Sequence, residues 1–422
     1  MPIQEQLFLE EGELARQNRR WMILKNMVEG TKASRQNEIL NNKPDRNLLK
    51  KLPENNGDLE DALYECFLMA RRGKTRTVDE WKFEVFWKEN LEQLAKDIIK
   101  RRWKPSSSKA FVIHSPVDRE IFAAAFPDRI VHHLLYAVVA PWWERRFIYD
   151  SYSCRRNKGT DFGVLRMQKF MRSASRNGKV KAYVLKGDLS GYFMSLNRDA
   201  LYKKVMWGLK KQFPKRGWLY ELCEYLWKKV IYDDPCLKAR IVGHLSDWDC
   251  LPDSKTLFKQ PDGRGIVIGN LTSQLLSNIM LNEFDWWMKK RVGFRYYGRY
   301  VDDFFIVVAV SDFEFAKHVM KYEVPEKLRS MGLKMHPKKT YVQEVSHGCP
   351  FLGKMVRPFV LMPGKRYLRN MRKAFRGYVS GRVSYDTMQS YVGMGKRMAA
   401  YTEMKKVVDR LEPTTEYFGN IS

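Results

Sequence analysis

This sequence has no run of the ~20 consecutive apolar residues that a bilayer-spanning helix needs, no C-x-x-C pair and no internal repeat. Membrane spans and solenoids are thereby excluded. Its six cysteines (66, 154, 223, 236, 250 and 349) follow no metal-ligand spacing, which argues against a disulfide scaffold or a cysteine-ligated zinc module and predicts reduced, buried thiols. The first residues are charged and contain no apolar signal core, so a soluble cytoplasmic protein is expected. His132-His133 is a metal pair in name only, because neighbours on a helix point apart.

Negative charge is also scarce. Lys and Arg number 76 against 48 Asp and Glu, a net +28 spread along most of the 422 residues. Such an excess predicts a polyanionic partner, nucleic acid above all, since clustered cations gain affinity by releasing condensed counterions. The 44% hydrophobic content is enough for a large core, and the length suggests two to four domains or subdomains.

Residues 1 to about 70 read as helices joined by a polar linker. Helical spacing is expected over Trp81 to Arg102, a strand over Ala110 to Ile113, and a buried helix over Asp128 to Val139. Between Asp150 and Thr160 lie Arg155, Arg156 and Lys158 beside Gly159 and hydroxyl residues, a composition suited to cradling phosphate oxygens. Val180 to Leu185 reads as a strand whose end carries Asp188, with Gly191 permitting a turn. Gly263 to Leu281 passes from a glycine-punctuated turn into a long helix, with Thr272 or Ser273 available as its cap. From Lys365 to Arg382 there are seven basic residues and no acidic one, interleaved with aromatic rings; this helical face is suited to track a phosphate backbone.

The chemistry centres on Phe294 to Val310, where Asp302-Asp303 sits between an aromatic-rich run and a β-branched run. That pattern predicts strand, tight turn, strand, with both carboxylates at the turn. Adjacent carboxylates repel, and they tolerate joint ionisation best beside a divalent cation. Asp188, at another strand end, is the third such carboxylate. Tyr232-Asp233-Asp234 repeats the tripeptide pattern but runs into Pro235-Cys236, so it is read as a loop.

In order and spacing, Asp188-x-x-x-x-Phe193, Ile268-Gly269-x-x-x-Ser273-Gln274, Tyr300-Val-Asp302-Asp303, Gly332 with Lys339, and Phe351-Leu352-Gly353 resemble the palm motifs of reverse transcriptases. Asp150-Ser-Tyr-x-x-Arg155-x-x-Lys158-Gly-Thr resembles their fingers motif, although Asn157 and Asp161 depart from the more usual Gly and His. The resemblance covers about residues 65 to 360. It implies an α+β right-hand polymerase with an antiparallel palm sheet, divided into an N-terminal helical extension (1–70), fingers (71–180), palm (181–360, with a fingers insertion at about 200–265) and a helical thumb (361–422).

The resemblance also implies RNA-directed DNA synthesis with two Mg²⁺ ions, for which Mn²⁺ can substitute, held by Asp188, Asp302, Asp303 and the carbonyl of Leu189. Arg155, Lys158, Phe193, Ile268, Gly269, Gln274 and Lys339 would meet the incoming dNTP. Tyr300, Phe351, Leu352, Gly353, Arg369, Arg372, Lys373 and Arg376 would meet primer and template. Within the family, Ile268 to Gln274 is most similar to the enzymes of diversity-generating retroelements; most reverse transcriptases carry Gln where Ile268 stands and Pro where Gln274 stands. That implies error-prone copying of a template RNA into cDNA, with misincorporation opposite adenines, and a basic oligomeric accessory variability protein as partner. Two alternatives stand beside it: a group II intron-like or defence-associated bacterial enzyme, and a non-enzymatic RNA-binding scaffold.

Overall fold

The protein is seen here in a computed structural model, which describes residues 3–29, 49, 51–72, 77–114 and 117–411, with side chains from residue 16 onward. Its helices and strands, in chain order, are α1 (Ile3–Glu29), α2 (Asn56–Arg71), α3 (Val78–Val85), α4 (Trp87–Ile99), β1 (Lys109–Ile113), β2 (Arg119–Ala123), α5 (Phe126–Glu144) and α6 (Thr160–Ala174). Then follow β3 (Ala182–Asp188), α7 (Tyr192–Ser195), α8 (Arg198–Gln212), α9 (Trp218–Ile231), β4 (Arg240–Ile241), α10 (Leu271–Trp286), β5 (Tyr297–Tyr300), β6 (Asp303–Ala309), α11 (Phe313–His318) and α12 (Val324–Ser330). The described residues close with β7 (Tyr341–Glu344), β8 (Cys349–Phe351), β9 (Lys354–Val356), β10 (Leu361–Pro363), α13 (Lys365–Val379), α14 (Tyr385–Lys396) and α15 (Tyr401–Asp409).

The central element is a four-stranded sheet in the order β5-β6-β3-β7, every pairing antiparallel. Side chains alternate across it. Leu185, Phe304, Ile306 and Val308 enter a large core shared with α2, α5, α8, α9 and α10. Val184, Phe305 and Val307 enter a second core under α6 and the β8–β9 hairpin. With both faces covered, β6 reads as the solid apolar run Phe304 to Val308, all buried.

A smaller sheet, β2-β1-β4, leans against the palm: the amide of Phe122 in β2 donates to the carbonyl of Ile268 at 3.2 Å. A third core gathers Tyr367, Met371, Phe375 and Tyr378 of α13 with residues of α14 and α15. Trp21, Leu24 and Val28 of α1 join them, and the Trp21 indole donates to the carbonyl of Val408 at 2.9 Å. The segment expected as one N-terminal unit is therefore shared between two cores, since α2 packs on α5 instead.

Three local expectations change. The Trp81–Arg102 helix breaks at Phe86 into α3 and α4. Neither Thr272 nor Ser273 caps α10: the helix begins at Leu271, its N-cap is Asn270, and the Thr272 hydroxyl pairs with Nδ1 of His132 at 2.9 Å. Burial, then His133, push the His132 imidazole down to about 4. Of the cysteines, all free, Cys66, Cys223 and Cys349 are buried, whereas Cys154 and Cys250 are exposed. Among the described residues, no helix is long and apolar enough to cross a membrane.

Candidate active site

Strand register puts two of the carboxylates, Asp188 and Asp303, side by side, with Asp302 in the turn next to them. Tyr300 pairs with Asp303, and Asp303 pairs with Asp188, so the ends of three adjacent strands meet at one rim. Between β5 and β6, Val301 and Asp302 form the turn, and Val301 adopts φ +56°, which is costly for a β-branched residue. The turn is held from below: Nη1 of Arg299 donates to the carbonyl of Val301 at 2.8 Å. Arg299 is itself wholly buried and forks onto both oxygens of Asp285 in α10 at 2.7 Å, while Tyr297 donates to the same carboxylate. A buried charge of this kind needs a complete set of partners. It joins α10 to the hairpin.

From the other side, the segment after α12 clasps β3. The amide of His336 donates to the carbonyl of Asp188 at 2.7 Å, that of Ser190 to the carbonyl of Lys334 at 2.9 Å, and Leu189 donates to the carbonyl of Asp302 at 3.2 Å. Gly191 follows in the left-handed region at φ +53°, where a Cβ would lie 2.7 Å from the carbonyl oxygen of Ser254. Only glycine passes there.

The electrostatics distinguish the carboxylates. Burial, then Asp188, then Asp303 push Asp302 up to about 6. Burial also raises Asp303, but Lys186 lies 3.2 Å from it and opposes the rise. Asp188 pairs with Lys339 at 2.9 Å. Asp302 has no ion-pair partner among the described residues. Oxygen-only donors, one of them half-buried and without an ion pair among the described residues, are the chemistry a hard divalent cation satisfies. The three carboxylates do not yet converge: the one trio of His, Cys, Asp or Glu among the described residues whose ligand atoms all lie within 4.8 Å is His114, Asp118 and Cys250. Lys339 and Lys186 hold two of the rim carboxylates in their place.

The other expected residues divide into two groups. Phe193 packs on the large core and Ile268 on a small one beside β1 and β2. The carbonyl of Phe193 accepts from Ile266, and Ile268 packs on the small core of Ala110, Phe122, Met194 and Leu257. Gly269 lies at φ +131°, its would-be Cβ 3.0 Å from the carbonyl oxygen of Phe122. Gln274 stands in the first turn of α10, half-buried.

Arg155 faces inward. It forks onto Glu144 and donates to the carbonyls of Ile148 and Ser151, so its donors are spent on the fold and not presented to a triphosphate. Lys158 bonds the carbonyl of Tyr149 and lies over that ring and Phe162; burial, then Arg155, push its ammonium down to about 7. Asp150-Ser151-Tyr152 runs beside β5, with the Asp150 carboxylate meeting Arg166 at 2.7 Å and Lys289 at 3.4 Å. The expected phosphate cradle is largely a structural joint.

Phe351 is buried against Phe305, ring centroids 5.0 Å apart, and Leu352 and Gly353 form the β8–β9 turn with positive φ. Tyr300 is half-buried beside them. Arg369, Arg372, Lys373 and Arg376 are all exposed on one side of α13. Asp233 pairs with Lys238 at 2.6 Å and Asp234 caps a short turn, as expected of a loop. Sequence reading missed Lys186, Arg299 and Asp285. Lys186 shares the face of Asp188 by strand alternation, and Arg299 is a charge inside an otherwise apolar strand, which implies a buried partner.

Comparison with known proteins gives a family match: the one described as reverse transcriptase (RNA-dependent DNA polymerase) matches residues 119–356. Protein YkfC of Escherichia coli (strain K12) is 28% identical over 174 residues, 41% of this chain and 38% of that protein. Among solved structures, telomerase from Candida albicans in complex with a fragment of telomeric RNA is similar at 14% identity and TM-score 0.44, covering 77% of this chain and 61% of that one. The Candida tropicalis counterpart gives 14%, 0.42, 76% and 59%. The chain thus spans less than two thirds of each of these relatives.

Proposed function

This chain belongs to the reverse transcriptase family, and from that premise we propose that it copies an RNA template into cDNA at the rim formed by Asp188, Asp302 and Asp303. The observation that carries the reading is the meeting of three carboxylates at one rim: Asp188 and Asp303 opposite each other at adjacent strand ends, and half-buried Asp302 in the turn beside them, raised by both and without an ion pair among the described residues.

Asp188, Asp302 and Asp303, with the Leu189 carbonyl, would hold two Mg²⁺ ions, or Mn²⁺ in their place. When bound, such ions activate a primer hydroxyl and neutralise a leaving pyrophosphate. Lys339, which pairs with Asp188 at 2.9 Å, would be free to meet the triphosphate once that carboxylate is held by a cation. Phe193 presents its ring beside the sugar position, and Ile268 with Gly269 borders the templating pair. Exposed Arg369, Arg372, Lys373 and Arg376 track the phosphate backbone of the template–primer duplex.

The finer reading is a diversity-generating retroelement enzyme: error-prone, misreading template adenines, and working with an oligomeric basic accessory protein. Its support is Ile268 and Gln274. An apolar side chain at 268 offers no hydrogen bond near the templating pair, so base selection rests more on shape.

Two experiments test these readings. Asp302→Asn with Asp303→Asn should abolish primer extension on an RNA template while RNA binding, measured by fluorescence anisotropy, stays nearly intact; retained Mg²⁺-dependent extension would sink the assignment. Ile268→Gln should shift the misincorporation spectrum read by sequencing the cDNA. An unchanged spectrum would refute the account of infidelity.

A further inference from the structure

On the opposite face of the palm sheet from the carboxylates lies a cavity of about 910 Å³. Strand alternation separates the two: Leu185 lines the cavity, whereas Asp188 on the same strand faces the other way. The floor is apolar, made by Leu185, Met320, Leu333, Met335 and Val342, the first three of them buried. The rim is cationic, carrying Arg264, Lys317, Lys321, Arg329 and Lys334, and none of the lining residues is Asp or Glu. Lys317 pairs with Glu314, and Arg264 donates to the carbonyl of Ser195. Arg329 and Lys334, both exposed, make no ion pair among the described residues.

An apolar floor under a ring of cations is complementary to a ligand with one flat apolar part and one polyanionic part. The volume falls in the ordinary range for a small-molecule site, about 300–1,000 Å³, and suits a nucleoside triphosphate. The cavity wall is also the segment that clasps the catalytic strand: Lys334, Met335 and His336 line the cavity and hold Ser190, Leu189 and Asp188 through backbone contacts. A ligand here therefore bears on the position of a rim carboxylate without touching it.

We propose that this cavity binds a nucleotide, its base on the apolar floor and its phosphates on Arg329, Lys334 and their cationic neighbours, as a site separate from the carboxylate rim. The nucleotide is either a free nucleoside triphosphate or one unit of a bound strand.

The test uses the full chain and equilibrium dialysis of ATP in EDTA, with tripolyphosphate and a ten-residue oligoadenylate as competitors. Arg329→Glu with Lys334→Glu, two exposed positions, should weaken ATP about tenfold or more, the loss expected for one charge-assisted contact. Met320→Trp, which fills the floor and keeps the charges, should weaken ATP without raising the concentration at which tripolyphosphate competes. Asp302→Asn should leave ATP binding unchanged. Oligoadenylate displacing ATP at lower concentration than ATP itself identifies the strand as the source; the reverse order identifies the free nucleotide. ATP binding that survives the double charge reversal, that is lost in Asp302→Asn, or that tripolyphosphate displaces as well as ATP does, overturns the proposal.

Discussion

Asp302 gathers most of the unbalanced electrostatics of the rim. Its ordinary carboxyl value, 3.8, rises to about 6 through burial and through Asp188 and Asp303. The folded protein then binds more protons than the unfolded chain between these values, so this group's contribution to stability falls as pH rises from about 4 to 6. The penalty above pH 6 is about 3 kcal/mol without a cation. Urea unfolding should therefore show Mg²⁺ stabilising the protein more at pH 7 than at pH 5, a difference that Asp302→Asn removes. Arg299 is the opposite case, a buried charge with its partners complete. Replacing it alone by Met strands Asp285 and should cost about 3–5 kcal/mol in the same assay. Arg299→Met together with Asp285→Leu should cost less than the sum of the single changes. If that pair folds and extends a primer at the parental rate, the hold on Val301 contributes nothing to catalysis.

At the scale of elements, β3, β6 and α5 were legible because their apolar runs are long and bounded by turn residues, and the carboxylate turn was legible because its flanks were too apolar for an exposed hairpin. What stayed hidden was partnership across distance. Arg155 read as a phosphate ligand because a basic loop looks the same whether its cations face solvent or, as here, Glu144 and a pair of carbonyls. Thr272 read as a helix cap because its draw toward His132, 140 residues away, leaves no local trace. Cys250 approaches His114 and Asp118 only through the fold. Two predictions belong to this scale. Gly269→Ala places a side chain at φ +131° and 3.0 Å from the Phe122 carbonyl oxygen; it should shift the start of α10 and lower primer extension more than it lowers RNA affinity. On α13, each of Arg369→Gln, Lys373→Gln and Arg376→Gln should weaken RNA binding irrespective of sequence and reduce the salt slope of log K by about 1.

Across the whole molecule, ionic and apolar joints tie distant parts. Asp161, in the first turn of α6, meets Lys354 of the β8–β9 hairpin and, at 2.7 Å, Arg397 beyond α14. Burial opposes ionisation there, but the two cations hold its carboxyl below the usual range. Asp161→Asn should loosen α14 from α6, seen as faster amide exchange at α14 with the β3–β6 sheet unchanged. The stronger joint is α1 on α13 and α15. Trp21→Ala removes a buried ring and a hydrogen bond to Val408, and should cost about 3–5 kcal/mol, confined to exchange in the thumb helices.

That joint also orders events on the ribosome. The roughly 340 residues between Glu29 and Lys365 take on the order of 20–70 s to synthesise at 5–20 residues per second. Throughout that interval Trp21, Leu24 and Val28 have emerged while the helices that cover them have not, so the nascent chain carries an apolar stripe that a chaperone is well placed to shield. The joint of α1 with α13 and α15 consequently closes only after everything between Glu29 and Lys365 has been made, and its apolar stripe is open to misassembly for that interval.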